Sequence, residues 1–586
     1  MAPSPPPTEP RTPLQRWLVT PTLSQRRRYL WFGLSFGAPL LYGLLALGQG
    51  WGDLVVQDDA RQYLFWMARF SDPAAFPDDP IADYFQSVTP LGYMGLYRAG
   101  AALGIDPFTF NKLLPIPLAL ITTAYMFWLT LTVLPIPFTG FVATLLLNQT
   151  LWMKDDIVSA TPRAFLYPLF AAFLYYWAQY RANPKRSLGP AIAGVALPLL
   201  LLGLFYPQYV LVASAILGLQ LVSLAPRPHL QLSRRNRLFC GAGLAIAAAV
   251  IAYYALTASD YGPTITAAQA RNLPEFWPGG RNFFFSPNRW WFYFLGDRSG
   301  LFHVGLVRPA TLCLGLGLPL VWRRWSPVIQ VQGLLWRLWL AGFIWFGLAH
   351  LLLFRLHLPS RYMDHTWRFV MAIAAAIVVT AIVNGLLQRR RSLIGLGLVA
   401  LLLLVYPAFV EDFPLTKYKL GRVPQLYSVL QTLPQNSRIA TTAEVASNIP
   451  TFATRSVLVA REYAIPYHLG YYLPFRQRAI ALAQAQYTPD LAELQAVIRR
   501  YDIDFWILEG GAYAPEYPFK SWISQYEADI PALRAFEQGA SPALATVAPS
   551  CRQTTVRSLQ LIDASCILAW PAKNEVESPP QDVQAS

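Results

Sequence analysis

Apolar residues fall in long, almost uninterrupted runs from Trp31 to Val410, and polar residues gather in the short intervals between them. Many of these runs approach the roughly 20 residues that a helix needs to cross a bilayer. The pattern predicts about eleven membrane spans, near 29–50, 112–134, 137–151, 163–180, 189–206, 208–225, 238–257, 304–322, 337–355, 366–386 and 393–410. A further apolar stretch from Tyr84 to Ile105 is interrupted by Pro90, Gly92, Gly95 and Gly104, with Pro80 just before it. Those residues suit a broken, surface or re-entrant path better than a regular span.

After Asp412 the apolar runs shorten and turn residues multiply. Arg438-Ile-Ala-Thr-Thr, Arg455-Ser-Val-Leu-Val and Asp504-Phe-Trp-Ile-Leu read as short buried strands. Thr488 to Tyr501 reads as an amphipathic helix with Leu491, Leu494, Val497 and Ile498 on one face. Alternating strand and helix signals predict a small α/β domain over 411–575. The expected organisation is a disordered tail at 1–28, a membrane domain at 29–410, the α/β domain, and a second disordered tail at 576–586.

Composition agrees with a membrane-embedded fold. Hydrophobic residues make up 54% of the 586 and charged residues only 13%, against about 25% charged in soluble domains; the mean hydropathy is +0.33. The net charge of +15 would suit nucleic acid, but the basic residues lie in clusters between spans. That distribution belongs to topology signals and contact with anionic lipid, so nucleic acid is excluded as a partner.

Arg26-Arg27-Arg28 precede the first span and set the N-terminus in the cytoplasm, with that span read as an uncleaved anchor in the inner membrane. Eleven spans also keep Arg181/Lys185/Arg186, Arg227/Arg234/Arg235/Arg237, Arg323/Arg324/Arg337 and Arg389-Arg390-Arg391 inside. The outer, periplasmic or extracellular face then carries a first loop at 51–111, a short loop around Asp155, a long loop at 258–303, and the C-terminal domain. Cys240 and Cys313 fall in predicted spans as packing residues. Cys551 and Cys566 both fall in the outer domain, where oxidising conditions permit a disulfide.

Two acidic pairs, Asp58-Asp59 and Asp155-Asp156, lie just past the outer ends of predicted spans. Carboxylates beside hydrocarbon are expensive to hold and mark functional candidates. The first pair runs into Ala60 to Phe70, where a helix would bring Tyr63, Trp66 and Met67 to the membrane interface and give the acids a capping role as the alternative to chemistry. The second precedes Thr161-Pro-Arg163-Ala-Phe, its alternative being a solvated loop paired with Lys154 and Arg163. Near the tenth span stands Pro359-Ser-Arg361-Tyr362-Met-Asp364-His365-Thr-Trp-Arg368. No phosphate-binding GxxxxGK[ST] loop, GxGxxG unit or GxSxG elbow is present, and no inner segment is long enough for a nucleotide-binding domain. An activated substrate must therefore come from the membrane.

This layout resembles the GT-C superfamily of integral-membrane glycosyltransferases, which includes the protein mannosyltransferases, the aminoarabinose transferase of lipid A and Rgt-like enzymes. The resemblance implies transfer of a sugar from a polyprenyl-phosphate-linked donor to an external glycan, lipid or protein. On it, Asp58 or Asp59 matches the first-loop acid and is the candidate base, while Asp155 or Asp156 matches the second-loop acid, orienting the acceptor or holding Mg²⁺ or Mn²⁺. Arg361, His365 and Arg368 are candidates for the donor phosphate, with Lys112, Arg281 and Arg289 behind them. The Trp290-Trp-Phe-Tyr-Phe run reads first as an interface anchor. Two other readings stay open: a Wzy-type polymerase or O-antigen ligase, and a non-enzymatic lipid or glycan transporter.

Overall fold

In a computed structural model, which describes residues 13–21, 24–223, 229–257, 259–302, 308–388 and 392–571, six helices are long and apolar enough to cross a membrane. They are Gln25–Gly50, Pro107–Val133, Leu188–Phe205, Arg234–Leu256, Leu334–Leu351 and Ser360–Leu387. Shorter helical elements lie at the other five predicted positions: Pro137–Trp152, Leu166–Ala182, Gln208–Gln220, Ala310–Gly317 running into Leu318–Trp325, and Ser392–Val405. The Ser360–Leu387 helix is buried along most of its length. Its neighbours approach closely where they carry small residues. At Gly315 a Cβ would come 3.1 Å from the Met371 carbonyl, and the segment Ala310–Gly317 is wound as a 3-10 helix rather than a regular span.

The tempting stretch from Tyr84 to Ile105 is two helices, Pro80–Ser87 and Leu91–Ala102. Pro90 separates them, since it lacks an N–H and disfavours helical backbone in the residue before it. Tyr84, Phe85, Tyr93 and Tyr97 are buried in protein, and Gly92 lets its helix approach the end of Leu188–Phe205, where a Cβ would lie 2.9 Å from the Leu204 carbonyl.

Two expectations are corrected. The sequence pattern places residues 13–19 in a disordered tail, but Pro13–Val19 is a helix whose buried Gln15 donates to Asn384 Oδ1 at 3.0 Å. A polar side chain with a buried partner on a long helix is what fixes it. Residues 1–12 and 572–586, together with Arg227 and Arg389-Arg390-Arg391, lie outside the described residues. The pattern also places Trp66 and Met67 at the lipid interface; both are fully enclosed by protein, because Ala60–Tyr63 and the 3-10 turn Phe65–Phe70 pack beneath the domain that follows the spans.

After residue 411 the chain forms a five-stranded sheet in the order Ser456–Val457, Arg438–Ala440, Phe505–Glu509, Leu559–Asp563, Arg552–Val556. The first three strands are parallel and the last two pair antiparallel. Leu491–Tyr501 packs Leu494 and Ile498 inward and is capped by Asp490, which accepts from the Ala492 N–H at 2.8 Å. The 552–563 hairpin and the 19-residue helix Leu469–Tyr487 have no counterpart among the predicted elements. Cys551 and Cys566 are joined as a disulfide; Cys240 and Cys313 are free thiols.

One small sheet decides where the functional residues go. Val55–Gln57, just past the first membrane helix, pairs antiparallel with Tyr418–Leu420, just past the last. The Asp58 N–H continues the ladder to the Lys417 carbonyl at 3.1 Å, and the Leu415 N–H reaches the Trp152 carbonyl at 2.8 Å. The two acidic loops are thereby tied to a single stretch of chain.

Candidate functional site

Gln57 holds the two loops together. Its Oε1 accepts from the Asp59 N–H at 2.8 Å and from the Ala160 N–H at 3.1 Å. From the other side Tyr93 donates to the Ala160 carbonyl at 2.8 Å, and Asn111 supports Tyr97 beside it. Asp59 occupies the N-cap position of Ala60–Tyr63 but makes no side-chain cap bond. Its Oδ2 accepts from the Ser159 hydroxyl at 2.7 Å, across 100 residues of chain.

Arg163 is where the acidic pairs converge. It lies 3.9 Å from Asp59, 3.7 Å from Asp155 and 3.5 Å from Asp156. Asp155 also meets Lys417 at 3.1 Å. Asp156 is paired with Arg368, which in turn reaches Asp364 at 3.1 Å, and Lys154 closes on Asp364 at 2.9 Å. Asp59, Asp155, Asp156 and Asp364 thus face Arg163, Arg368, Lys154 and Lys417, four against four. The second loop is not solvated: the side chains of Asp155 and Asp156 are 7% and 0% exposed.

Burial pushes the Asp155 carboxyl up, but Arg163 and Lys417 outweigh it and hold it below the usual carboxylate range. The same contest at Asp156 is won by Arg368, Lys154 and Arg163. Both acids stay charged because cations surround them. The accessible carboxylates are those of Asp58 and Asp59, each 31% exposed. Asp58 is bound by Arg61, with Lys419 at 3.9 Å. Arg61 also reaches Glu462 at 3.2 Å, and Glu462 takes Arg281 at 2.9 Å. Burial raises the Glu462 carboxyl above its ordinary range, against the pull of Arg281 and Arg61. Asp59 Oδ1, by contrast, carries no hydrogen bond or ion pair from any described residue.

Arg361 stands one helical turn before Asp364, half-buried, and forms no ion pair with a described residue. Its charge is felt at His357, which burial, with Arg361, Arg298 and Arg163 adding, drives down to about 3. The remaining candidates are elsewhere or enclosed. Arg368 is fully buried between two carboxylates, and His365 is buried with Nδ1 on the Tyr167 hydroxyl at 2.8 Å. Lys112 is spent on the Gly52 carbonyl at 2.7 Å, at the turn leaving the first membrane helix. Arg281 is ion-paired with Glu462 rather than with the cluster, and Arg289 is exposed with no described contact to the cluster. Of the aromatic run, Trp290 is exposed and stacks on Phe294.

Asp156, Asp364 and His365 bring three ligand atoms within 4.8 Å of one another, the spacing of a metal site. Both carboxylates are already engaged by Arg368, and Asp364 by Lys154 as well. A divalent ion there would have to displace a buried guanidinium, so the residues as folded do not fit one.

Arg163, Gln57, Ser159, Glu462 and Lys417 do not stand out in the sequence as site residues. Arg163 carries the one usable signal, a lone arginine seven residues beyond an acidic pair and at the mouth of an apolar helix.

No protein-family model matches the chain, and no curated protein sequence matches it. Solved structures do. The oligosaccharyltransferase of Archaeoglobus fulgidus tethered to an acceptor peptide containing the NVT sequon superposes with a TM-score of 0.52 at 12% identity, covering 87% of this chain and 72% of that one. Its apo form gives 0.51 at 12% identity over 85% and 71%. ArnT from Cupriavidus metallidurans, bound to undecaprenyl phosphate, matches more loosely, with a TM-score of 0.37 and 16% identity over 92% and 99% of the two chains. At these identities the likeness is one of fold.

Proposed function

We propose, from the GT-C membrane fold shared with the archaeal oligosaccharyltransferase and the acid–arginine site set into it, that this chain transfers a sugar from a polyprenyl-phosphate-linked donor to an acceptor at the outer face of the membrane. The observation that carries the reading is the convergence of Asp59 and the Asp155-Asp156 pair on Arg163, near Arg361, which forms no ion pair with a described residue. With the eleven spans read from the sequence, this site and the C-terminal domain would share that outer face, where a lipid-linked donor is available and no soluble nucleotide sugar is needed.

In this reading Asp59 is the base. Displacement at an anomeric carbon requires an acceptor hydroxyl to lose its proton while the lipid phosphate leaves with the bonding pair. The Asp59 side chain is 31% exposed, its Oδ1 takes no bond from a described residue, and its Oδ2 is anchored by Ser159, so the carboxylate is oriented without being consumed. Arg163 balances the charge of the acids on its other side. The departing phosphate gains one negative charge as the sugar–oxygen bond breaks, and a planar guanidinium meets its oxygens in bidentate fashion. Arg361, which has no ion-pair partner among the described residues, takes that part. Arg368, Lys154 and Lys417 hold the acidic loops in position.

The test is binding of the leaving group. Native mass spectrometry of the detergent-purified protein should detect polyprenyl phosphate but not the matching polyprenol, and Arg361→Gln should lose the difference. Equal retention of the two lipids by the unmodified protein would remove the phosphate-binding step from the account.

A further inference from the structure

A second polar cavity, separate from the acid cluster, opens between the first loop and the C-terminal domain. Its volume is about 240 Å³. Asp79, at the start of Pro80–Ser87, faces Arg438 and Ser456 from neighbouring strands, Arg478 from Leu469–Tyr487, and Arg500 with Tyr501 from the end of Leu491–Tyr501. The chain gathers three guanidiniums here from sites up to 62 residues apart, on a wall completed by a residue of the membrane domain.

The charges are not mutually satisfied. Arg438 is committed to the Tyr501 carbonyl at 2.8 Å, with the exposed Asp502 at 3.9 Å as its one counter-ion among the described residues. Arg478 and Arg500 form no ion pair with a described residue; Arg500 lies over the Tyr501 ring at 5.3 Å, and the buried Nε of Arg478 has no hydrogen-bond partner. Asp79 is 3% exposed. Its Oδ1 caps the helix, accepting from the Ile81 and Ala82 N–H groups at 2.8 and 3.1 Å. Its Oδ2 is buried near Ser456 and Arg478 without a well-formed hydrogen bond. A buried carboxylate oxygen and a buried guanidinium N–H left unused are costly, and each is relieved by a ligand that brings the missing partner.

The ligand that fits carries both kinds of group. A hydroxyl-bearing ring supplies donors to Asp79 and an apolar face to Tyr501, while an anionic substituent takes the guanidinium forks of Arg478 and Arg500. We infer that this cavity binds an acidic sugar unit of the acceptor glycan, the inference resting on the sugar-transfer reading above. Recognition of one charged ring away from the reacting centre would set which glycan is presented to Asp59, and the cost of a neutral ring would be an unpaired arginine pair in a half-enclosed site.

Binding to the full-length detergent-purified protein, without lipid donor, tests this. Saturation-transfer NMR with glucuronate, glucose 6-phosphate, glucose and inorganic phosphate separates ring from charge, and the first two separate a carboxylate from a phosphate substituent. The expected result is that at least one acidic sugar binds about tenfold or more tightly than both glucose and inorganic phosphate. Arg500→Ala, an exposed position that threatens no core, should lower that affinity about tenfold, and Arg500→Lys should restore part of it. Equal binding of glucose, or of phosphate alone, overturns the inference, as does undetectable binding of both acidic sugars or binding unchanged in Arg500→Ala. Asp59→Asn should leave the sugar affinity intact, so a failure here is distinguishable from a failure of the transfer reading.

Discussion

Arg163 lies 3.9 Å from Asp59 and so joins the first acidic loop to the second, which the same guanidinium meets at Asp155 and Asp156. Acids gathered around one cation are coupled, and removing the cation leaves like charges facing one another in a poorly solvated space. Arg163→Gln should therefore destabilise the protein by about 3–5 kcal/mol, and Asp155→Asn in the same chain should recover part of it. Thermal unfolding of the two single variants and the double variant checks this. Strict additivity would mean that the contact is incidental.

The two members of the first pair should separate. Asp59→Asn should lower turnover by about 10²–10⁴-fold with donor affinity unchanged, since a base acts on the acceptor. Asp58→Asn should cost less, because Asp58 is engaged by Arg61 and tied through it to Glu462. Initial rates at saturating donor distinguish the two, and equal losses would deny Asp59 its special place.

Much of this could be read from the chain. The acidic pairs, the broken path over 84–105, the three core strands and the capped helix ending at Tyr501 all leave local marks in hydropathy or turn chemistry. What could not be read is what holds the site together. Gln57 is an ordinary polar residue until the pairing of Val55–Gln57 with Tyr418–Leu420 aims its amide at Asp59 and Ala160. Glu462 is one acid among many until folding sets it beside Arg61 and Arg281, across 401 and 181 residues. Arg368 illustrates the opposite error. An arginine near a span end suggests a phosphate ligand, but only tertiary contact shows it enclosed between Asp156 and Asp364.

Acid should act on stability through the second loop. Asp155 is held below its ordinary value of 3.8. The stability it contributes is thus present above that value and is lost as pH falls through the lower, folded one. The melting-temperature gap between the unmodified protein and Asp155→Asn should be widest near neutral pH and shrink below about pH 4. A gap that widens on acidification would reverse the sign and place Asp155 outside the Arg163–Lys417 pairing.

Chelation should leave transfer unaffected. The carboxylates nearest one another are neutralised by Arg368, Lys154 and Arg163, so rates with and without EDTA should agree. Loss of activity on chelation, restored by Mg²⁺ or Mn²⁺, would show that an ion displaces one of these side chains.

The most direct test of sugar transfer at Asp59 works whichever sugar is carried. Lipid extracts from cells expressing either the unmodified protein or Asp59→Asn, at matched membrane levels, are compared by mass spectrometry for polyprenyl-phosphate-linked sugars. The account predicts that one such lipid accumulates in the Asp59→Asn cells because its consumption has stopped. An identical pool of lipid-linked sugars in the two strains would contradict it.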